Sequence, residues 1–206
     1  MYRINEIFYT LQGEGYFAGC PAAFVRFSGC NLKCPFCDTK FDTYKEMSAE
    51  EIIREIQNLI HGGNSGNKDN NGNEPIIVLT GGEPTLQADK QLIDALHKER
   101  YFITIETNGT NPIPEGIDWV TYSPKEQTAV AAPSSPYAAS GKQVHVNELK
   151  IVYLGQDVEK YYKSIKAEHY FLQPCSNKNT KEVVAYILEH PHWWLSLQAH
   201  KIINIK

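Results

Sequence analysis

Ala22-Ala23-Phe24-Val25-Arg26-Phe27-Ser28-Gly29-Cys30-Asn31-Leu32-Lys33-Cys34-Pro35-Phe36-Cys37-Asp38-Thr39 opens as an apolar strand and runs into three cysteines spaced C-x3-C-x2-C. Three thiolates so close together can grip a metal centre, but a closed tetrahedral zinc site needs four ligands. A [4Fe–4S] cluster is held by cysteine thiolates, and three of them leave one iron open to an outside ligand. The competing reading is a structural zinc knot completed by Cys20, Cys175 or a histidine. Zinc ribbons bring their ligands in two close pairs, and the sequence has no second C-x2-C pair.

Outward from this stretch, short apolar runs alternate with amphipathic ones. Strands are expected at Ala22–Phe27, Ile76–Thr80, Phe102–Glu106, Trp119–Tyr122, Leu149–Tyr153, Tyr170–Gln173 and Trp194–Leu197. Several are continuous Ile/Val/Leu/Phe runs, as suits parallel strands covered on both faces. Helices are expected at Ser48–Ile60, Leu86–Lys98, Asp157–Lys166 and Asn179–Glu189. Ser48 with Glu51 forms a capping-box signature, and Asn179 with Glu182 is cap-like. This alternation predicts right-handed βαβ units. Two segments interrupt it. His61–Glu74 is rich in Gly and Asn and reads as a flexible surface loop. Lys125–Asn147 lacks periodicity and reads as a functional lid or mobile stretch.

The 206 residues fit one domain, 1–206, large enough to bury a substantial core. The net charge of −4 gives no basic excess of the kind that marks nucleic-acid binding. No apolar run reaches the length that spans a bilayer, and the N-terminus lacks the shape of a signal peptide. Five cysteines, three of them clustered, fit a reducing compartment. These features point to a soluble cytoplasmic protein without nucleic-acid or membrane partners.

The C-x3-C-x2-C spacing, with aromatic Phe36 before the last cysteine, resembles the signature of the radical S-adenosylmethionine (SAM) superfamily. That resemblance implies a [4Fe–4S] cluster on Cys30, Cys34 and Cys37, with SAM chelating the open iron. Gly81-Gly82-Glu83-Pro84, after the strand Ile76–Thr80, resembles the GGEP motif of that superfamily. Glycine there permits close backbone approach to a ligand.

Further runs narrow the resemblance: Asn5–Gly15, with Leu11-Gln12-Gly13-Glu14, then Arg26, Thr39, Glu106–Thr110, Ser123-Pro124-Lys125, Gln173-Pro174 and Leu195–Lys201. Together they are similar to the 7-carboxy-7-deazaguanine synthases, radical enzymes that contract a pterin ring on the way to queuosine and other 7-deazapurines. The resemblance implies that Leu11, Gln12, Gly13, Arg26, Thr80 and Lys206 bind substrate. It implies SAM contacts from Phe36, Cys37, Asp38, Gly82, Ser123, Pro124, Lys125, Gln173, Pro174, Cys175 and Ser176, and Mg2+ on Thr39. A guanidinium at Arg26 suits a carboxylate, since it can clamp one bidentately; the plain alternative is a salt bridge on the strand. Glu14 is a weak candidate for a general base, and Cys20 reads as incidental.

The implied fold is an α/β incomplete TIM-like barrel of mostly parallel strands, with the site at the strand C-terminal ends. The implied reaction turns 6-carboxy-5,6,7,8-tetrahydropterin into 7-carboxy-7-deazaguanine with loss of ammonia. The resemblance also implies a homodimer and a reducing partner such as flavodoxin or ferredoxin. Two other readings stay open at this level: another radical SAM enzyme, such as a glycyl-radical activase, and a non-catalytic zinc-binding module.

Overall fold

In β2 (Pro21–Phe27), Ala23, Val25 and Phe27 face one way and Ala22 and Phe24 the other. The first set packs against helices; the second set points into the open side of the sheet. That division of faces runs through the whole molecule. The computed structural model describes residues 1–62, 75–125 and 144–206.

Among the described residues nine strands form one sheet. Besides β2 they are β1 (Tyr2–Leu11), β3 (Lys45–Met47), β4 (Ile76–Gly81), β5 (Ile103–Thr107), β6 (Trp119–Tyr122), β7 (Val144–Tyr153), β8 (Ile165–Pro174) and β9 (Trp194–Leu195). Their order is β3-β1-β2-β4-β5-β6-β7-β8-β9. From β2 to β9 every pairing is parallel; β1 runs antiparallel to both β2 and β3. The expected incomplete barrel is therefore an open sheet that does not close. Its edge strands, β3 and β9, have three and two residues, so they offer little ladder to a second copy.

The helices α1 (Ala49–His61) and α2 (Lys90–Lys98) cover the outer face of β1, β2, β4 and β5. Ile52, Ile56, Leu92, Ile93 and Leu96 are fully buried there against Val25, Phe27, Leu79 and Ile105. Burying side chains of this size stabilises the fold by about 1.5–3 kcal/mol each. Ser48 caps α1 as expected: its Oγ accepts from Glu51 N–H at 3.2 Å, and Glu51 accepts from Ser48 N–H at 2.8 Å. Helices α3 (Glu159–Ser164) and α4 (Thr180–Glu189) cover β7 and β8 around Leu149, Ile151 and Leu172. A short α5 (Ala199–Ile203) follows β9.

Several elements differ from expectation. β1 was hidden because its register shifts between Ile4 and Glu6; this bulge breaks the period-two alternation. β7 and β8 each begin earlier than their apolar runs: the β7–β8 ladder already pairs Val144 with Ile165 and His145 with Lys166. Val144–Asn147 is thus strand, not loop, and the helix expected to reach Lys166 stops at Ser164. α2 starts at Lys90 on the Asp89 cap, after a 3-10 turn at Pro84–Leu86 capped by Glu83. Asn179 does not cap α4. Its side chain accepts from Cys175 N–H at 2.8 Å and donates to Tyr153 O at 2.9 Å, tying two strand ends together. Of the loops expected at His61–Glu74 and Lys125–Asn147, residues 63–74 and 126–143 lie outside the described residues.

Candidate active site

Parallel strands leave their C-terminal ends at one rim of the sheet, and successive inward side chains there face the same space. On the inner face Arg26 of β2 pairs in register with Thr80 of β4, and Glu106 of β5 and Lys150 of β7, the latter one inward position beyond the register of Glu106, face the same space. With the turn after β1, the cysteine loop and α5 they enclose a cavity of about 1110 Å³.

The glycine pair at the end of β4 locks the cysteine loop to the sheet. Gly82 N–H donates to Phe27 O at 3.0 Å, and Glu83 N–H donates to Gly29 O at 2.9 Å. A Cβ on Gly82 would meet Gly29 O at 1.8 Å, so no other residue fits. Glu83 is buried and fully engaged: Oε1 accepts from the Thr107 hydroxyl at 2.7 Å and Oε2 from Asn108 N–H at 2.8 Å. The motif glutamate therefore fastens the ends of β4 and β5 together.

Cys30, Cys34 and Cys37 all stand on the cavity wall as free thiols. Burial pushes the Cys30 and Cys34 thiols up, and the neighbouring thiols add to this; Lys125 pulls Cys34 the other way. Cys30 and Cys34, whose ionisation is opposed in this way, suit a cationic centre, which reverses that balance. Among the described residues no three His, Cys, Asp or Glu side chains converge on a single ion. A cubane takes each thiolate on a different iron, so its ligands stand apart. The three cysteines fit a cluster.

Around them runs a charged network. Buried Lys150 donates to Glu14 Oε2 at 2.7 Å and to Glu106 Oε1 at 3.1 Å. Thr80 Oγ1–H donates to Glu106 Oε2 at 3.1 Å, and Gln12 Nε2–H to Oε1 at 3.3 Å. Burial alone would lower the Lys150 ammonium, but Glu106 and Glu14 hold it well above its ordinary value. Burial would raise Glu14; Lys150 and Gln198 outweigh it and hold the carboxyl below the usual range. Glu14 anchors the Lys150 ammonium in this row. Lys125, which donates to Ser123 Oγ at 2.5 Å, is pushed down by burial and by Lys150.

A second group closes the mouth. Gln198 Nε2–H donates to Glu14 Oε1 at 2.9 Å and to Asp38 Oδ2 at 3.2 Å, and Lys201 pairs with Asp38. α5 is thereby fastened to the cysteine loop. Arg26 donates through Nε to Glu6 Oε1 at 2.9 Å and through a terminal nitrogen to Thr39 Oγ1 at 3.5 Å. The Lys206 ammonium lies 2.6 Å from Glu6 Oε2. Arg26 is thus both a salt-bridge partner and a cavity residue.

All the residues expected to meet substrate line this cavity, as do Glu14, Thr39, Phe36, Asp38, Cys175 and Ser176. Pro124, Gln173 and Pro174 are not part of its wall; Gln173 accepts from the Ser196 hydroxyl at 3.1 Å. Cys20 takes part in the turn after β1 through its backbone. Sequence reading passed over Lys150. Its signal was a lone cation inside an apolar strand run, a position that charged residues rarely hold unpaired.

The Radical SAM superfamily model matches residues 24–123. The 7-carboxy-7-deazaguanine synthase of Bacteroides thetaiotaomicron is 47% identical over 206 residues, covering 100% of both chains. That of Burkholderia multivorans is 37% identical and covers 99% of each. The crystal structure of QueE from Escherichia coli superposes with a TM-score of 0.71 at 29% identity, covering 97% of this chain and 94% of that one.

Proposed function

We propose that this chain, which belongs to the 7-carboxy-7-deazaguanine synthases of the radical SAM superfamily, contracts 6-carboxy-5,6,7,8-tetrahydropterin to 7-carboxy-7-deazaguanine with loss of ammonia. The observation that carries this reading is the inner-face row Arg26, Thr80, Glu106 and Lys150 facing the same cavity as three unpaired cysteines.

Cys30, Cys34 and Cys37 would hold a [4Fe–4S] cluster, and Gly82, Asp38, Ser123, Lys125 and the Cys175–Ser176 turn lie where SAM would be held. When bound, this pair supplies a 5′-deoxyadenosyl radical, while the protein supplies binding and orientation. Glu6 occupies the Nε edge of Arg26, which leaves terminal N–H groups to receive the pterin carboxylate. Thr80 and Gln12 are held by Glu106, so they present fixed polar groups to the ring. Such prepositioning is what a radical rearrangement needs from its protein. The Thr39 hydroxyl, beside Arg26, would hold Mg2+, a hard cation content with few protein oxygens when substrate and water complete its shell. A flavodoxin- or ferredoxin-type protein would deliver the electron, and the enzyme would act as a homodimer.

The test is anaerobic turnover of the iron-loaded protein with SAM, a chemical reductant and 6-carboxytetrahydropterin. Formation of 7-carboxy-7-deazaguanine and ammonia is expected. Cleavage of SAM with no loss of pterin overturns the reading of substrate while leaving the radical chemistry.

A further inference from the structure

Glu148 sits on the inner face of β7, one inward position before Lys150, and is only 2% exposed. Its Oε2 accepts from Tyr16 N–H at 3.2 Å and from the Trp119 indole N–H at 3.4 Å. Its Oε1 is buried and has no hydrogen-bond partner among the described residues. An acceptor buried without a donor is costly and marks a constrained site.

Directly above it lies the turn after β1. Gly15 has φ of +65°, and a Cβ there would come within 2.1 Å of Glu148 Oε1. The turn rests on the carboxyl so closely that no side chain intervenes. The Tyr16 ring then stacks on Trp119 with centroids 4.7 Å apart and tilts against His169 at 4.4 Å. From the other side Gly15 N–H donates to Ser196 Oγ at 2.9 Å. The turn so clamped is the one that carries Gln12, Gly13 and Glu14 into the cavity.

We propose that Glu148 is a positioning residue for the substrate-binding turn: its carboxyl seats Gly15 and Tyr16, and thereby sets where Gln12 and Gly13 meet the pterin. This rests on the reading of Leu11–Gly13 as the pterin-binding turn. Glu148 does not line the cavity; besides seating the turn its charge faces the Lys150 ammonium, an interaction that Glu148→Gln removes while the seat stays.

Three variants test it. Glu148→Ala removes the seat, Glu148→Gln keeps its shape and its acceptor oxygen, and Gly15→Ala pushes the turn off it. Four readouts apply: KM and kcat for 6-carboxytetrahydropterin, binding of pterin-6-carboxylate to the metal-free protein by its fluorescence, and amide exchange over residues 12–16. For Glu148→Ala and Gly15→Ala the expected result is a KM about tenfold higher with a much smaller change in kcat, since binding alone is lost. Ligand binding weakens in parallel, and exchange at 12–16 accelerates ahead of the rest of the chain. Glu148→Gln is expected to stay within about threefold of the parent. Gly15→Ala acts by collision with the carboxyl as well as by backbone strain at φ +65°, and only the collision is relieved in Glu148→Ala, so the double variant should cost less than the two separate losses combined.

The proposal is overturned if Glu148→Ala and Gly15→Ala keep the parent KM. Equal losses in Glu148→Gln and Glu148→Ala, with faster exchange throughout the chain, overturn it as well. Should Glu148→Ala fail to fold, the other two variants decide. A parent protein that neither binds nor converts the pterin would instead defeat the substrate reading, and exchange at 12–16 would still report on the seat.

Discussion

Lys150 Nζ stands 2.7 Å from Glu14 Oε2, although the two residues are 136 positions apart. The contact joins the middle of β7 to the turn after β1, and Glu106 flanks the same ammonium from β5. The cavity floor is thus a row of alternating charge, with each member dependent on the others for its burial. Removing one partner from such a set strands the rest.

Replacing Lys150 with methionine should therefore leave Glu14 and Glu106 facing each other without a cation. The expected loss is about 3–5 kcal/mol, the typical cost of breaking a buried charged pair. Denaturant unfolding of the cluster-free protein measures it. A loss below about 1 kcal/mol would show that water reaches the row freely.

The same row fixes a pH window. Glu14 is held below its ordinary 4.5, so its contribution is complete above that value and fades as pH falls through the folded value. Lys150 is held above its ordinary 10.5, so its contribution is complete below that value and fades only at higher pH. The contribution of this pair to stability, read as the difference in melting temperature between the parent and Lys150→Met, should be level between about pH 5 and 10 and fall on both sides. In Lys150→Met the alkaline fall attributable to this site should vanish; an identical profile in both proteins refutes the assignment.

Cys30→Ala, Cys34→Ala and Cys37→Ala should each lose the cluster, whereas Cys20→Ala keeps it, because Cys20 lies in the turn after β1 and off the cavity wall. Iron and sulfide analysis with the brown absorbance reads this out. Full iron loading of Cys34→Ala would sink the ligand set.

Arg26→Ala should retain the cluster but bind the pterin roughly 10- to 100-fold more weakly, the worth of a charge-assisted hydrogen bond of about 1.5–3 kcal/mol. Titration with pterin-6-carboxylate checks it, with a pterin lacking the carboxylate as control. If both ligands bind the variant and the parent alike, Arg26 serves only Glu6.

Activity should rise with added magnesium, and Thr39→Val should blunt that rise with little loss of iron, since valine keeps the shape without the oxygen ligand. Equal turnover in chelated and magnesium-supplemented buffer removes the metal from the reaction.

What could be read in advance follows the range of each interaction. Cys30, Cys34, Cys37 and Gly81-Gly82-Glu83-Pro84 were legible because their spacing answers to local chemistry. The cores of β2, β4 and β6 were legible because burial on both faces leaves continuous apolar runs. β1 was not, since its bulge after Ile4 shifts the alternation and Asn5 and Glu6 dilute it. Nor was the start of β8, where Lys166 and Glu168 are held in the sheet by pairing with β7 rather than by their own pattern. Asn179 had the composition of a helix cap but was recruited by two strand ends. Lys150 and Glu148 meet partners more than a hundred positions away, which no window of sequence contains.

The clasp between the two ends of the chain also has a dimension in time. Gln198 reaches Glu14 across 184 positions, and Ala199 N–H closes on Gly13 O at 2.9 Å. A ribosome that adds about 5–20 residues per second needs roughly 10–40 s to travel that far. For most of that interval the cysteine loop has been made while α5, which is fastened to it through Lys201 and Asp38, has not. The clasp of α5 on the cysteine loop therefore forms only after the strands that line the cavity have been made.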